Sequence, residues 1–276
     1  NSSAYALAQE LQTAGAKIVA IIDCRANDSI GAEKDRLDIP LYAAHQITKA
    51  HGGRHIRAVS IRAADGATKR LECDLLAVSG GWNPVVHLFS QSRGSLAYDD
   101  DLASFVPKKV VQKLACVGAA AGKMNMASAL ADTANKIATS LKACGFKSPT
   151  FTMPHVGVSP DYHLQPLWHV DAMKPGDKAF VDIQNDVTLD DIELAMREGF
   201  DTVEHVKRYT TAGMGIDQGK TGNINVIGNI AKASNRQLGE IGTTTFRSPF
   251  TPVDFGSIAG QRNGSTVLPF RHTPIT

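Results

Sequence analysis

Residues 2–23 read SSAYALAQELQTAGAKIVAIID and join the two patterns that decide the fold class. In the first part, apolar residues recur at helical spacing, which predicts an amphipathic helix over residues 2–14 that ends at Gly15. These apolar residues are Ala4, Leu7, Ala8 and Leu11. Residues 17–23 form a continuous apolar run, which is typical of a strand buried on both faces of a parallel sheet. A helix followed by such a strand predicts an α/β fold of the nucleotide-binding kind.

Asp23, the last residue of this run, has two interpretations. An acidic side chain at that strand end can accept hydrogen bonds from both ribose hydroxyls of a dinucleotide. The alternative is an ordinary surface carboxylate on the loop after a strand. The strand and glycine loop that open such a unit would precede Asn1, so we expect these 276 residues to be an internal part of a longer protein.

Composition excludes several classes of partner. The chain carries 29 basic and 27 acidic side chains in a mixed order, for a net charge of +2, so charge favours neither nucleic acid nor a membrane surface. Its apolar runs are far shorter than a membrane span. The four cysteines lack any C-x-x-C spacing, which predicts no structural zinc site. Three of them lie in or after apolar runs, which predicts buried, reduced structural thiols in the cytoplasm. The four cysteines are Cys24, Cys73, Cys116 and Cys144.

The next segment is expected to be rich in strands. Residues 39–53 are interpreted as a short strand followed by a helix. Two β-rich runs meet at Asp65-Gly66, and this dipeptide predicts a hairpin. The apolar run at residues 75–78 predicts a third, buried strand, which Gly80-Gly81 ends.

Residues 114–141 predict a strand, a turn of small residues and a helix. The strand is expected at 114–117, the turn at 118–122 and the helix at 126–141. This order presents backbone N–H groups to an anion. The other interpretation is that small residues only let the helix approach the sheet closely, and the spacing leaves both open.

The second half of the chain divides into a linker, a helical part and a tail. Residues 145–178 contain five prolines and little periodicity, which indicates a linker. In the helical part, Thr188 is expected to cap a first helix with Asp191, Thr202 a second, and a third begins near Asn223. An acidic cluster at the first helix suits a solvated N-terminus better than a metal site. Its members are Asp186, Asp190, Asp191 and Glu193.

Residues 212–223, AGMGIDQGKTGN, resemble a phosphate-binding loop without being one. A P-loop needs four residues between its first glycine and Gly-Lys-Thr, and Met214 stands where that glycine would be. The loop must also follow a strand, whereas the preceding residues predict a helix. Two histidines, His163 and His169, likewise fit no zinc spacing, and no residue pattern indicates a catalytic acid, base or nucleophile.

Three segments carry a family resemblance: residues 73–94, 178–225 and 242–253. Residues 73–94 resemble flavoprotein reductases with two dinucleotide-binding domains. All three segments resemble the alpha-subunit family of heterotetrameric sarcosine oxidases, and this resemblance runs over nearly the whole chain. The resemblance implies an α/β fold made of parts of two dinucleotide-binding domains, followed by a small helical domain. The implied divisions are 1–79, a partial inserted dinucleotide-like domain; 80–144, the last part of an NAD-binding domain; 145–178, a linker; 179–240, the helical domain; and 241–276, a linker toward a folate-binding domain.

The resemblance also implies an incomplete NAD site. Related reductases have Gly-Asp where this chain has Gly118-Ala119, and the lost carboxylate argues against a conventional FAD site. By this match the residues near NAD are Gly80, Gly118, Ala119, Met124 and Met126. The main glycine loop of that site lies outside the chain.

The helical domain resembles small [2Fe–2S] modules that carry C-x-C before one helix and C-x-x-x-x-C before another. The matching positions hold Asp182, Gln184, Asp217 and Gly222. Clusters need thiolate or imidazole donors. The resemblance therefore implies a scaffold that binds no iron–sulfur cluster and no other metal.

The family implies the following function. Sarcosine is oxidised to glycine at an FAD in a beta subunit, and electrons pass to FMN at the alpha–beta interface. Hydrogen peroxide forms, and the one-carbon unit goes to tetrahydrofolate or leaves as formaldehyde. Partners would be beta, gamma and delta subunits. The alternatives are an opine- or proline-oxidase alpha subunit, or a non-catalytic scaffold.

Overall fold

A computed structural model describes residues 1–147, 151–157, 164–170, 176–248, 251–259 and residue 274. Within these ranges, no helix is both long and apolar enough to span a membrane.

The first helix, α1 (Ser3–Thr13), confirms the predicted amphipathic helix. Its N-terminus is closed by Asn1, whose Oδ1 accepts the Ser3 N–H at 2.6 Å, and not by a serine. At the other end, Gly15 has φ +89° and the Ala16 N–H donates to Leu11 O, which satisfies a terminal carbonyl of the helix.

Strand β1 (Ile21–Asp23) pairs in parallel with β2 (Leu41–Ala43), and the 3₁₀ turns Asn27–Ser29 and Ala32–Arg36 lie between them. The parallel arrangement is as predicted, although the strand takes only the last three residues of the apolar run. Tyr5, Ala8, Ile21 and Ile30 form the buried cluster between helix and strands.

Residues 45–72 form an antiparallel sheet in the order β3 (His45–Gly52), β4 (Ile56–Ala63), β5 (Thr68–Glu72). The helix predicted within 39–53 is therefore wrong. Ile47 lies opposite Ile61, and this cross-strand burial of β-branched side chains favours a strand. The hairpin at Asp65-Gly66 is confirmed, with Gly66 at φ +90°.

The predicted buried strand at 75–78 is absent. Residues 75–86 form neither helix nor strand, and Leu75 and Val78 are 72% and 80% exposed. A short helix and an antiparallel hairpin follow, neither of which was predicted: α2 (His87–Gln91), β6 (Ser95–Asp99) and β7 (Ser104–Lys109).

The predicted strand at 114–117 is also absent, whereas the turn and the helix after it are confirmed. The turn is a 3₁₀ segment, Gly118–Ala121, closed by Gly122 at φ +78°. Asn125 caps helix α3 (Met126–Ala143), because its Oδ1 accepts the N–H groups of Ala127 and Ser128 at 3.0 and 3.3 Å.

The described residues of 145–178 form no helix or strand. Strands β8 (Phe180–Asp182) and β9 (Val187–Thr188) then pair. They are followed by five helices: α4 (Leu189–Arg197), α5 (Val203–Thr210), α6 (Asn223–Ser234), α7 (Leu238–Ile241) and α8 (Phe255–Ala259). The predicted starts of α4, α5 and α6 are confirmed. The Thr188 N–H donates to Asp191 Oδ2 at 2.8 Å, and Thr202 Oγ1 accepts the His205 N–H at 3.3 Å.

We call residues 176–248 the helical unit. Its core is the larger of two buried apolar clusters within the described residues, and it includes a residue of the β6–β7 hairpin. The buried members are Phe105, Val187, Ile192, Ala195, Val203, Val206, Ala212, Val226, Ile227 and Ile230.

Candidate functional site

The loop between α5 and α6, residues 211–222, is held by several side-chain hydrogen bonds to its backbone, and we call it the module loop. Helix α5 precedes it, so the exclusion of a P-loop is confirmed. Gly213 and Gly219 lie at φ +71° and +76°, and a Cβ at either position would overlap the Asn223 side chain. Asn223 therefore fills the centre of the loop, and glycine is required around it.

Asp182 anchors the module loop to strand β8. It is buried, and its Oδ2 accepts the Gly213 N–H at 2.7 Å. Its Oδ1 accepts the Gln184 N–H at 2.9 Å, and Gln184 Oε1 in turn accepts the Asp217 N–H at 3.5 Å. These bonds link Asp182, Gln184 and Asp217, which are three of the four positions matched to cluster ligands.

Asp217 organises the second half of the loop. Its Oδ1 accepts the Gly219 N–H at 3.0 Å, and its Oδ2 accepts the Thr221 N–H at 3.2 Å and the Thr221 hydroxyl at 2.6 Å. Burial alone would raise the pKa of Asp217, but these hydrogen bonds outweigh it and hold the pKa below its usual value. The carboxylate thus stays ionised as the acceptor for the loop.

Gly222 completes the arrangement. A Cβ at this position would lie 3.2 Å from Val181 O and 3.8 Å from the Asp182 Cβ. The four positions matched to cluster ligands are therefore neighbours in space. Their donor set does not fit an iron–sulfur cluster, because both carboxylates accept backbone N–H groups and Gly222 has no side chain.

The five residues expected near NAD occupy two places. Gly118 and Ala119 lie on the small-residue turn, Met126 begins α3, and Met124 lies between the two elements. Ala119 and Met126 are exposed. Gly118 has φ +60°, so this backbone shape favours glycine. Gly80, also exposed, follows Ser79, whose hydroxyl hydrogen-bonds the Ser3 hydroxyl at 2.7 Å.

Asp23 is neither a surface carboxylate nor open to a ribose. Its side chain is 6% exposed, Arg25 Nη2 lies 2.7 Å from Oδ2, and the Tyr5 hydroxyl donates to the same oxygen at 3.0 Å. Burial would raise the pKa of Asp23, but hydrogen bonds from Arg25 and Tyr5 keep it below its usual value. Sequence reasoning missed Arg25, although its position two residues after Asp23 is a signal for a local ion pair.

A groove of about 540 Å³ lies between strand β3 and the helical unit. Its walls include Trp168, and His169 contacts Lys232 Nζ through Nδ1 at 3.1 Å. Lys49 Nζ pairs with Asp177 Oδ1 at 2.6 Å across it. His163, the other histidine of this region, is outside the described residues.

A second, small cavity of about 50 Å³ brings the module loop close to α2. His87 and Lys220 both line it, and the His87 ring lies 3.8 Å from the Phe246 ring, centroid to centroid. Burial first, and the charge of Lys220 second, lower the pKa of His87 to about 4. No pattern in the sequence indicates this buried histidine.

The cysteines and acidic residues form no metal centre in the described part of the chain. No group of three or more His, Cys, Asp or Glu side chains there could hold an ion. All four thiols are free. The expectation of three buried thiols is wrong, because Cys24, Cys73 and Cys116 are half-buried and Cys144 is exposed. Asp190 and Asp191 lie in the first turn of α4, as predicted for the acidic cluster.

Comparison with known proteins supports the resemblance. Residues 176–262 match a family model described as the sarcosine oxidase A3 domain. The chain is 38% identical over its whole length to the sarcosine oxidase subunit alpha of Rhizobium meliloti (strain 1021), of which it covers 27%. It is 37% identical, again over its whole length, to the subunit alpha of Corynebacterium sp. (strain U-96), of which it covers 30%.

A solved structure shares the fold. L-proline dehydrogenase from P. horikoshii superposes with a TM-score of 0.60 at 18% identity, over 87% of this chain and 50% of that one. The predicted α/β class is thereby confirmed, while the likeness of the helical unit to ferredoxin modules stays a prediction. The chain spans less than a third of the curated relatives described above. Its whole length is therefore similar to one part of these two sarcosine oxidase alpha subunits.

Proposed function

We propose that this chain is part of the alpha subunit of a flavin-dependent sarcosine oxidase complex. Such a complex removes the methyl group of sarcosine oxidatively, yielding glycine and hydrogen peroxide, with the one-carbon unit passed to tetrahydrofolate or released as formaldehyde. The observation that carries the proposal is that 37–38% identity extends over all 276 residues and is not confined to one motif.

The chemistry is assigned to other parts of the complex. We place FAD in a beta subunit and FMN at the alpha–beta interface, with gamma and delta subunits as further partners and tetrahydrofolate on another domain. This division is supported by the engagement of Asp182 and Asp217, whose oxygens already accept hydrogen bonds within the fold. The free thiols favour a reducing compartment, the cytoplasm.

The decisive experiment is to co-purify the complex and measure oxygen consumption with sarcosine. We expect sarcosine-dependent uptake of oxygen with hydrogen peroxide as product. L-Proline and an opine are the comparison substrates, because the fold is shared with an L-proline dehydrogenase. Turnover of either, with none of sarcosine, would favour the second candidate, a proline- or opine-oxidase alpha subunit. No turnover and no bound flavin would favour a scaffold.

For this chain we propose a share in an NAD site at Gly80, Gly118, Ala119, Met124 and Met126. Small residues at a turn let a backbone approach a pyrophosphate closely, and the exposed Ala119 offers such an approach. NAD, when bound there, would supply a nicotinamide ring, whose chemistry is hydride transfer. The exposed side chain of Met126 is in a position to cover an apolar part of the ligand.

NAD content tests this site without any assay of activity. The purified complex is denatured and the released nucleotide is measured. Ala119→Asp should lower NAD content strongly, because it puts a negative charge beside the pyrophosphate. Ala127→Asp, also exposed but outside the five residues, is the matched control and should retain it. Equal NAD content in both variants would remove Ala119 from the site.

We further propose that the helical unit binds no iron–sulfur cluster. The support is that internal hydrogen bonds engage Asp182, Gln184 and Asp217, and that the fourth matched position, Gly222, has no side chain. Iron analysis and the visible spectrum of the isolated alpha chain, free of flavin, test it. Iron in stoichiometric amount with a ferredoxin-like spectrum would contradict it.

A further inference from the structure

The groove between strand β3 and the helical unit runs along the edge of a sheet. On the β3 side, its wall consists of four consecutive residues, 47–50. Neighbouring residues of a strand point to opposite faces, so a cavity on one face would be lined only by every second residue. A wall of consecutive residues therefore belongs to the strand edge. Strand β3 is an edge strand, with β4 as its neighbour in a three-stranded sheet.

Three features disfavour a further β-strand as the occupant of this groove. The pairing of β3 with β4 shifts register between Ile47 and Lys49, an irregularity of the β-bulge kind. Lys49 itself lies on the edge, and bulges and edge lysines are devices that keep an added strand away. Lys49 Nζ also pairs with Asp177 Oδ1 at 2.6 Å, and this ion pair crosses the path of an extended chain.

The dimensions of the groove suit a small molecule instead. Its volume of about 540 Å³ falls within the range of small-molecule sites, roughly 300–1,000 Å³. The ion pair across it makes the groove a compartment with a closed side. The nature of the ligand then follows from the side chains of the walls.

Trp168 supplies a fixed aromatic wall. A Cβ at Gly228 would lie 2.7 Å from Cε3 of the ring, so the indole sits directly on helix α6. Asn229 Nδ2 donates to Trp168 O at 3.1 Å and holds the backbone of the same residue. Leu167 and Phe180 also line the groove, and they are 42% and 51% exposed. An indole held in this way is preorganised to stack against a planar ring.

Positive charge predominates among the charged side chains of the walls. Two lysines and one aspartate line the groove, and a third lysine adjoins it: Lys49 and Lys178 with Asp177, and Lys232 beside His169. An ammonium group can only donate, so Lys232 Nζ donates to His169 Nδ1 at 3.1 Å, and the neutral imidazole carries its proton on Nε2. Since Lys49 balances Asp177, the remaining charge favours an anionic group.

We propose that this groove binds a small molecule in which a planar aromatic ring carries an anionic group. The ring stacks on Trp168, and Lys178 and the Nε2–H of His169 serve the anion. Two kinds of molecule have this chemistry, an aromatic carboxylate and a nucleoside monophosphate. The groove shares no lining residue with the proposed NAD site, so this assignment depends neither on NAD nor on sarcosine.

Hydrogen exchange of the co-purified complex locates the ligand on the chain. The probes are AMP for the nucleotide and indole-3-acetate for the carboxylate, each at about 1 mM, near the weak end of specific binding. We expect one or both anions to slow amide exchange in residues 45–52, 164–170 and 176–181. Adenosine and indole-3-acetamide carry the same rings without the charge, and calorimetry should show them binding about fivefold more weakly or less tightly still.

Two pairs of variants test the walls. Trp168→Ala should weaken binding of the responding anion by about fivefold or more, the lower end of what a stacked ring contributes. Trp82→Ala is its control, because Trp82 is 61% exposed and lies outside the groove, and it should leave the affinity unchanged. Lys178→Gln should also weaken binding, whereas Lys109→Gln, at an exposed lysine outside the groove, should not.

The outcomes separate the sources and the failures. A response to AMP alone supports a nucleotide, and a response to indole-3-acetate alone supports a carboxylate. The proposal is overturned by unchanged exchange at the groove with both anions, by equal affinity for an anion and its neutral analogue, or by equal affinity in Trp168→Ala and Trp82→Ala. Protection by AMP confined to residues 117–127 would assign AMP to the NAD site and also count against the groove.

Two further conditions keep the test decisive. If Trp168→Ala does not fold, the exchange pattern of the unmodified complex and the comparison of each anion with its neutral analogue decide by themselves. Sarcosine turnover enters none of these measurements, so a failure of the groove assignment and a failure of the oxidase assignment are distinguishable.

Discussion

At the scale of single residues, Arg25 determines the role of Asp23. The strand-end position made Asp23 a candidate for binding ribose, but the guanidinium occupies its oxygens with distances of 2.7 to 3.2 Å. Arg25 is 3% exposed and also donates to Ser2 Oγ at 3.1 Å. The pair therefore ties the start of α1 to the end of β1.

Removal of Arg25 should be costly. Arg25→Leu leaves a buried carboxylate without its cation, and we expect the free energy of unfolding to fall by about 3–5 kcal/mol in urea denaturation. The double variant Asp23→Asn/Arg25→Leu should regain part of this loss. Arg70→Leu breaks the exposed pair with Glu72 and should cost no more than about 1 kcal/mol. Similar losses for Arg25→Leu and Arg70→Leu would show that burial does not govern the effect.

His87 should make stability depend on pH on the acid side. Its pKa of about 4 in the folded chain lies below the ordinary value of 6.5, so the folded state keeps the neutral ring while the unfolded state takes up a proton. The contribution is fully present above pH 6.5 and is lost as the pH falls from 6.5 toward 4, by up to about 1.4 kcal/mol per pH unit.

Urea unfolding at several pH values between 4 and 7.5 measures this dependence. His87→Leu should flatten the profile between pH 4 and 6.5, since it removes the titrating group. His55→Gln, at an exposed histidine, should leave the slope unchanged. A slope that persists in His87→Leu would assign the dependence to other groups.

At the scale of elements, the caps and tight turns follow their local sequences. The capping interaction of Thr188 with Asp191, the Thr202 cap and the turn at Asp65-Gly66 each depend on side chains within three residues. The prediction of a helix at β3 is wrong because the strand conformation of these residues depends on pairing with β4. Pairing partners distant in sequence are not visible in a local pattern.

Helix α6 has a small residue where the linker crosses it. A Cβ at Gly228 would lie 2.7 Å from Cε3 of the Trp168 ring, and Asn229 Nδ2 donates to Trp168 O at 3.1 Å. The absence of a side chain at Gly228 thus makes room for the indole. The segment 164–170 is held to the helical unit by this contact.

Gly228→Ala should release Trp168 from α6. We expect a red shift of tryptophan fluorescence, because the ring moves toward water, together with a loss of stability despite the higher helix propensity of alanine. Gly239→Ala in α7 is the control, since a Cβ there would make an ordinary contact of 3.7 Å with Tyr98. An unchanged spectrum and higher stability in Gly228→Ala would show that the linker accommodates the methyl group.

At the scale of the whole molecule, the β6–β7 hairpin belongs energetically to the helical unit. Phe105 is 9% exposed and lies in the cluster that contains Ile192, Ile227 and Ile230. Leu96 and Tyr98 of β6 pack against the same cluster. The hairpin therefore joins residues that precede the linker to the core that follows it.

Phe105→Ala should destabilise the helical unit even though it lies more than 70 residues before α4. The expected loss is about 3–5 kcal/mol, for an aromatic side chain removed from a core, with faster hydrogen exchange in α6. Phe146→Ala is the control, because Phe146 is 65% exposed, and it should leave exchange in α6 unchanged. Unaltered exchange of α6 in Phe105→Ala would separate the hairpin from that core.

The sequence by itself determined the local features of this protein. Helices α1, α3, α4, α5 and α6, the hairpin at Asp65-Gly66 and the exclusion of a P-loop all depend on spacing, caps and turns within a few residues. It also determined which family the chain resembles, because sequence identity depends only on the order of the residues.

The tertiary structure alone decided the environment of each candidate residue. It paired Asp23 with Arg25, placed Asn223 inside the module loop, buried His87 beside Phe246 and left residues 75–78 exposed. Each of these outcomes depends on contacts between residues that local propensity does not couple. Burial, pairing and pKa follow from the neighbours that the fold supplies, and those neighbours are set only when the whole chain is packed.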